Sequence, residues 1–231
     1  MLKKTFRTLA AASMAGAFLL AGIAAATDDE SSRTRQYEIQ VTNITRGQQF
    51  TPILGVVHNT RVRLFTLGAP ASSGLTTLAE EGNTAPLSDT LRSSPDVLSA
   101  NTQPNLLDPG KTRVFTVEAN ARFDSLTVAA MLIPTNDAFF AVSVLDLPHG
   151  WQPVTYRGVA YDSGTEQNDE RCNSIPGPFF SECGGPGGGA RLGNGEGFVH
   201  VNAGIHGNGD LIASRRDWRN PVVSVVVRRI R

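Results

Sequence analysis

The stretch AYDSGTEQNDERC, residues 160 to 172, carries four acidic side chains, Asp162, Glu166, Asp169 and Glu170, directly after an apolar run. Carboxylates crowded at 4 Å repel by roughly 1 kcal/mol per pair in water, and more when partly buried. Such a cluster is a solvated loop, a metal site or an acid–base pair. Asp162 and Glu166 stand four apart across Ser163-Gly164-Thr165, a sequence suited to a tight turn that folds both carboxylates toward one point. A hard divalent cation such as calcium takes roughly six to eight oxygens, from carboxylates, carbonyls and water. Two carboxylates are too few. Asp137 supplies a third, in IPTNDAFF, where Pro134-Thr135-Asn136 interrupts two apolar runs and puts the acid at one end of the strands they form.

Other chemistries fare less well. His200 and His206 lie in GFVHVNAGIHGNGD, with His58 and His149 elsewhere. Zinc needs three or four ligands converging on one point. His200 falls in an alternating strand and His206 in a glycine-flanked turn, so both read as hydrogen-bonding residues at a strand end. No GxSxG elbow and no GxxxxGK[ST] phosphate loop occurs. Cys172 and Cys183, with ten residues between them, lack CxxC spacing and read as one disulfide in an oxidising compartment. Aromatics make up 7% of the chain, few for a sugar-binding cleft. A non-enzymatic binding module is the leading expectation. A hydrolase of the cell envelope, using the metal or the carboxylates, is the alternative.

The elements that must position these residues are mostly strands. Tyr37, Ile39 and Val41 alternate with polar residues, the period of a half-buried strand. Similar runs occupy 61–67, 112–119, 125–133, 138–147, 153–161, 197–203 and 221–230. Helix formers are confined to LTTLAEEG (75–82) and LSDTLRSS (87–94). About eight strands with little helix imply an all-β fold, an antiparallel β-sandwich. The loop between the cysteines, with two prolines and a glycine, is expected to have no regular structure, and the glycine-rich stretch 183–197 reads as a mobile surface loop.

The N-terminus reads as a leader. Lys3, Lys4 and Arg7 precede an apolar stretch from Leu9 to Ala26 that ends in three alanines, as at a signal-peptidase site. The competing reading is a retained membrane anchor. Residues 1–26 are therefore expected to be removed, residues 27–36 (TDDESSRTRQ) to be a flexible lead-in, and 37–231 to form one domain. Removal takes away three basic residues and no acid, leaving 18 basic against 21 acidic and a net charge of −3. Such a surface has no general attraction for nucleic acid. The mature protein is expected to be secreted or periplasmic, without a membrane span, and to meet an extracellular or envelope partner that the sequence does not identify.

MLIPTNDAFFAV followed by YDSGTEQND resembles the spondin N-terminal domain, a module found in F-spondin and in many exported bacterial proteins. GEGFVHVNAGIHG and DWRNPVVSVVV resemble its bacterial branch, and the likeness spans residues 37 to 230. It implies a C2-like antiparallel β-sandwich that binds one calcium ion. The implied ligands are an Asp after a Pro-containing turn and two acids in a D-x-G-T-[DE] turn: here Asp137, Asp162 and Glu166. The animal module has Asp where Glu166 stands. In animals the module serves attachment to extracellular matrix. On this reading Asp169 and Glu170 are solvated neighbours that add negative potential near the ion.

Overall fold

A computed structural model describes residues 33–189 and 193–231. The expected leader, and most of the expected lead-in, lie outside them. In chain order the strands are β1 (Arg35–Asn43), β2 (Gln49–Phe50), β3 (Ile53–His58), β4 (Val97–Gln103), β5 (Thr112–Ala119), β6 (Ser125–Ile133), β7 (Ala138–Val144), β8 (Val154–Gly158), β9 (Ala160–Asp162), β10 (Phe179–Phe180), β11 (Gly185–Pro186), β12 (His200–Val201) and β13 (Val223–Arg229). The helices are α1 (Ser73–Glu81), α2 (Ala85–Arg92) and α3 (Ala213–Arg216).

A four-stranded antiparallel sheet, ordered β5-β1-β13-β8, faces a seven-stranded one ordered β12-β9-β7-β6-β3-β4, with β2 on β6. Alternation fixes the inner face of the smaller sheet. Tyr37, Ile39 and Val41 of β1 and Val223, Val225 and Val227 of β13 are all buried, and they pack in one core with Leu126, Val128 and Ala130 of β6. β1 and β13 pair from Tyr37↔Arg229 to Asn43↔Val223. Gln36 and Arg231 continue that pairing through backbone bonds of 3.1 and 2.8 Å involving Arg231 and Ile230, so the two ends of the domain emerge side by side.

The larger sheet is covered on its other face too. Leu54, Val56, Ala129, Phe139 and Ala141 pack against Leu75, Leu78 and Ala79 of α1 and Leu87 of α2. Leu75, Leu78 and Ala79 follow the i, i+3, i+4 spacing of one helix face. Ser72 caps α1 by accepting the Leu75 N–H, and Gly82 closes it in the left-handed conformation. The expected all-β sandwich is present, with the helices added as a third layer. This explains why every residue of SLTVAAMLI in β6 is buried.

Two strand expectations and one loop expectation change. Residues 61–67 form no strand. Asn59 accepts the Arg61 N–H (3.0 Å) and starts a turn, and Phe65 packs edge-on against Phe139, 5.3 Å between ring centres, as part of the outer cluster. The 153–161 run divides: β8 pairs with β13 in the smaller sheet, whereas β9 pairs with β7 in the larger. Gly158 marks the crossing, where a Cβ would press on Val142 and Val223. The loop between the cysteines is not without structure. It is closed by the Cys172–Cys183 bridge, places Ile175 and Phe180 in the core, and enters the short β10–β11 hairpin.

Candidate metal centre

The β7–β9 ladder brings the sequence-predicted acids to one end of the larger sheet. Ala138 lies opposite Asp162, and the Ser163 N–H donates to the Asp137 carbonyl at 3.3 Å. Asp137 is fully buried. Its Oδ2 accepts four hydrogen bonds: Ser163 Oγ (2.8 Å), Thr165 N–H (2.9 Å), Glu166 N–H (3.1 Å) and Thr165 Oγ1 (3.2 Å). Its Oδ1 has no hydrogen-bond partner. This asymmetry is unusual, because buried acceptors nearly always find a donor. Oδ2 shapes the 163–166 turn, and Oδ1 is left for something else.

Asp162 starts that turn. Its Oδ1 accepts the Gly164 N–H at 2.8 Å, and its Oδ2 accepts the side-chain amides of Asn168 and Asn202, each at 2.8 Å. Gly164 has φ of 68°, and a Cβ there would collide with the Phe198 carbonyl, so the turn depends on glycine. Glu166 is also buried, and its Oε2 has no hydrogen-bond partner. Opposite it, Gly195 comes so close that a Cβ would meet the Gly164 carbonyl, and Glu166 forms a bridge pair with Asn194. The end of the glycine-rich stretch, at Asn194 and Gly195, is thus packed on the acidic turn.

Burial and mutual repulsion disfavour the charged acids. Desolvation, then Glu80, Asp137 and Asp169, raise the Glu166 carboxyl to about 8. Desolvation and then Asp137 raise Asp162 to about 6, against the lowering effect of the Asn168 and Gly164 hydrogen bonds. Glu80, from α1, is a buried fourth acid that the sequence reading missed. Its only signal was a carboxylate two positions after Leu78 on a helix with an apolar face.

Of the two expected solvated neighbours, Glu170 is instead buried and Asp169 is half-buried. Glu170, with φ of 55°, is buried, and its carboxylate accepts the N–H groups of His206 (2.6 Å), Gly207 (2.6 Å) and Asn208 (2.8 Å). Asp169 accepts the Asn136 amide (3.0 Å) and the Ser174 hydroxyl (2.8 Å). Both tie the segment after the acidic turn to its neighbours, and Asp169 still adds negative potential beside Glu166.

Among the described residues, Asp162, Glu196 and His200 form a group whose candidate ligand atoms all lie within 4.8 Å of one another, able to hold a metal ion. The group shares Asp162 with the predicted set but omits Asp137 and Glu166. The sequence reading gave His200 a hydrogen-bonding role and passed over Glu196. His200 Nδ1 does donate to the Val201 carbonyl (3.1 Å), while Nε2 faces Asp162 Oδ1 (3.6 Å) and Glu196 Oε2 (3.4 Å). Desolvation lowers the His200 pKa; the Val201 hydrogen bond and the two acids outweigh it, so the net shift is upward.

Among the described residues no helix is long and apolar enough to cross a membrane. A search of curated proteins finds no match. The Spondin_N family profile matches residues 32–170, which include Asp137, Asp162 and Glu166 and stop before Glu196 and His200. With that match over more than half its length, on an antiparallel β-sandwich, the chain belongs to the spondin N-terminal domain family.

Proposed function

We propose that the protein is an exported calcium-binding module with an adhesive or extracellular interaction role, and that Asp137, Asp162 and Glu166 hold one calcium ion. The observation that carries this reading is that two buried carboxylate oxygens at the 163–166 turn, Asp137 Oδ1 and Glu166 Oε2, lack a hydrogen-bond donor. A bare buried carboxylate is costly unless a proton or a cation neutralises it. Oxygen-only ligands suit a hard ion, and bound calcium converts the repulsion among these acids into attraction. It ties the start of β7 to the 162–166 turn, so binding and local order are linked. Family membership supports the extracellular, adhesion-type setting, and the disulfide agrees with an oxidising compartment.

Thermal melting tests the ion. At free calcium ten times the dissociation constant, mass action adds about 1.4 kcal/mol, and extracellular calcium modules bind at about 10⁻⁴–10⁻³ M. The wild type is expected to melt higher with calcium than with chelator, and Asp162→Asn and Glu166→Gln to lose most of that response. A wild type indifferent to millimolar calcium removes the site. The interaction role is tested by pull-down from envelope extract, where a specific partner should be retained with calcium and released by chelator.

A further inference from the structure

We propose that Asp162, Glu196 and His200 form a second cation site, suited to a borderline divalent ion of the zinc type, beside the calcium pocket and sharing Asp162 with it. The shared carboxylate rests on the calcium reading, but the histidine-containing site stands on its own geometry. Zinc binds nitrogen and oxygen at about 2.0–2.2 Å, and two ligands at a tetrahedral angle are then about 3.4 Å apart. His200 Nε2 lies 3.4 Å from Glu196 Oε2 and 3.6 Å from Asp162 Oδ1. These are the separations of atoms sharing one small ion.

The tautomer of the neutral imidazole is also the one a metal requires. The Val201 carbonyl can only accept, so the Nδ1–H···O bond of 3.1 Å puts the neutral ring's proton on Nδ1 and leaves the Nε2 lone pair free. Nε2 is buried and makes no hydrogen bond. Asp162 is held from behind by the amides of Asn168 and Asn202 on Oδ2, which keeps Oδ1 turned toward His200. His200 and Asp162 are direct cross-strand partners in the β12–β9 ladder, so the backbone itself sets their spacing. Glu196 forms the outer rim, 42% exposed, and three protein ligands leave one position for water. One nitrogen among the ligands favours zinc-like ions over calcium, which prefers oxygen alone. The profile match ends at residue 170, so it does not itself cover Glu196 and His200.

The competing account is a plain ion triad of protonated His200 between two carboxylates. Untagged mature protein, stripped with chelator, separates the two by calorimetric titration with zinc chloride and by the visible absorption of added cobalt(II). The wild type is expected to bind one zinc and to give a four-coordinate cobalt spectrum. His200→Ala and the rim variant Glu196→Gln should each bind zinc about 10-fold more weakly or worse, with unchanged far-ultraviolet dichroism and an intact calcium response on melting. Glu166→Gln should lose the calcium response and keep zinc, and Asp162→Asn should lose both. No zinc binding in the wild type, wild-type zinc affinity in His200→Ala, or loss of zinc in Glu166→Gln would each overturn the proposal. Failure of the calcium response alone, with zinc binding intact, counts against the calcium pocket and leaves this site standing.

Discussion

Glu166 and Asp162 give the site its dependence on pH. Their carboxyls are raised to about 8 and about 6 from the ordinary 4.5 and 3.8, so the folded state holds these protons more tightly than the unfolded chain. Their contribution to stability is fully present below about pH 4 and is lost as pH climbs through the folded values. Chelated protein should therefore show a melting temperature that falls between about pH 4 and 8. For a domain of this size each 1 kcal/mol is about 2–4 °C. Calcium requires the ionised forms, so its stabilisation should grow over the same window. Melting series with chelator and with calcium check this, and Glu166→Gln should flatten the chelated series. A chelated wild-type protein whose melting temperature is level across that range would place both carboxyls in a wetter setting than described. The closeness of Asp137 to the 162–166 turn was legible because a turn sequence and a proline-broken apolar pair announce themselves locally. Glu80, Glu196 and His200 were not, since α1 packing, a glycine-rich approach and a cross-strand register carry them in.

At the scale of elements, a strand was legible where its run showed alternation or enough apolar length. β1 and β13 present one face to the core, and their alternation was read at once. β3, ILGVVH, is buried at all six positions and sits between Pro52 and a turn, so it showed neither alternation nor length. RVRLFTL looked more like a strand than ILGVVH does, yet Asn59 turns the chain and the apolar residues cover the helices' cluster. The division of 153–161 between two sheets depends on Gly158, whose missing side chain leaves room for Val142 and Val223. Gly158→Ala should overpack that crossing and cost about 1–3 kcal/mol in denaturant unfolding. A neutral effect would show that the strand can shift away at no expense.

For the whole molecule, the bridge and the buried loop act together. Cys172 and Cys183 are 11 apart in sequence, and the loop between them sends Ile175 and Phe180 into the main core. From within the same loop, Glu182 accepts two hydrogen bonds of 2.7 and 2.9 Å from Arg216, which lowers that carboxyl to about 2. Reduction should cost about 2–3 kcal/mol on the chain-entropy model, a fall of roughly 5–10 °C in melting temperature. Melting with and without reductant checks it. A fall well beyond that range would mean that Ile175 and Phe180 leave the core when the bridge opens.

The side-by-side ends of β1 and β13 decide how the protein bears a load. A pull on Arg35 and Arg231 meets the antiparallel ladder at its open end and breaks its rungs one after another, starting from the bonds of Gln36 with Arg231 and Ile230. Strands pulled lengthwise past each other would resist with all their rungs at once. A tether through both ends therefore unzips the smaller sheet at low force. Tension entering through one end and leaving through a ligand bound elsewhere on the surface would bypass that weak seam.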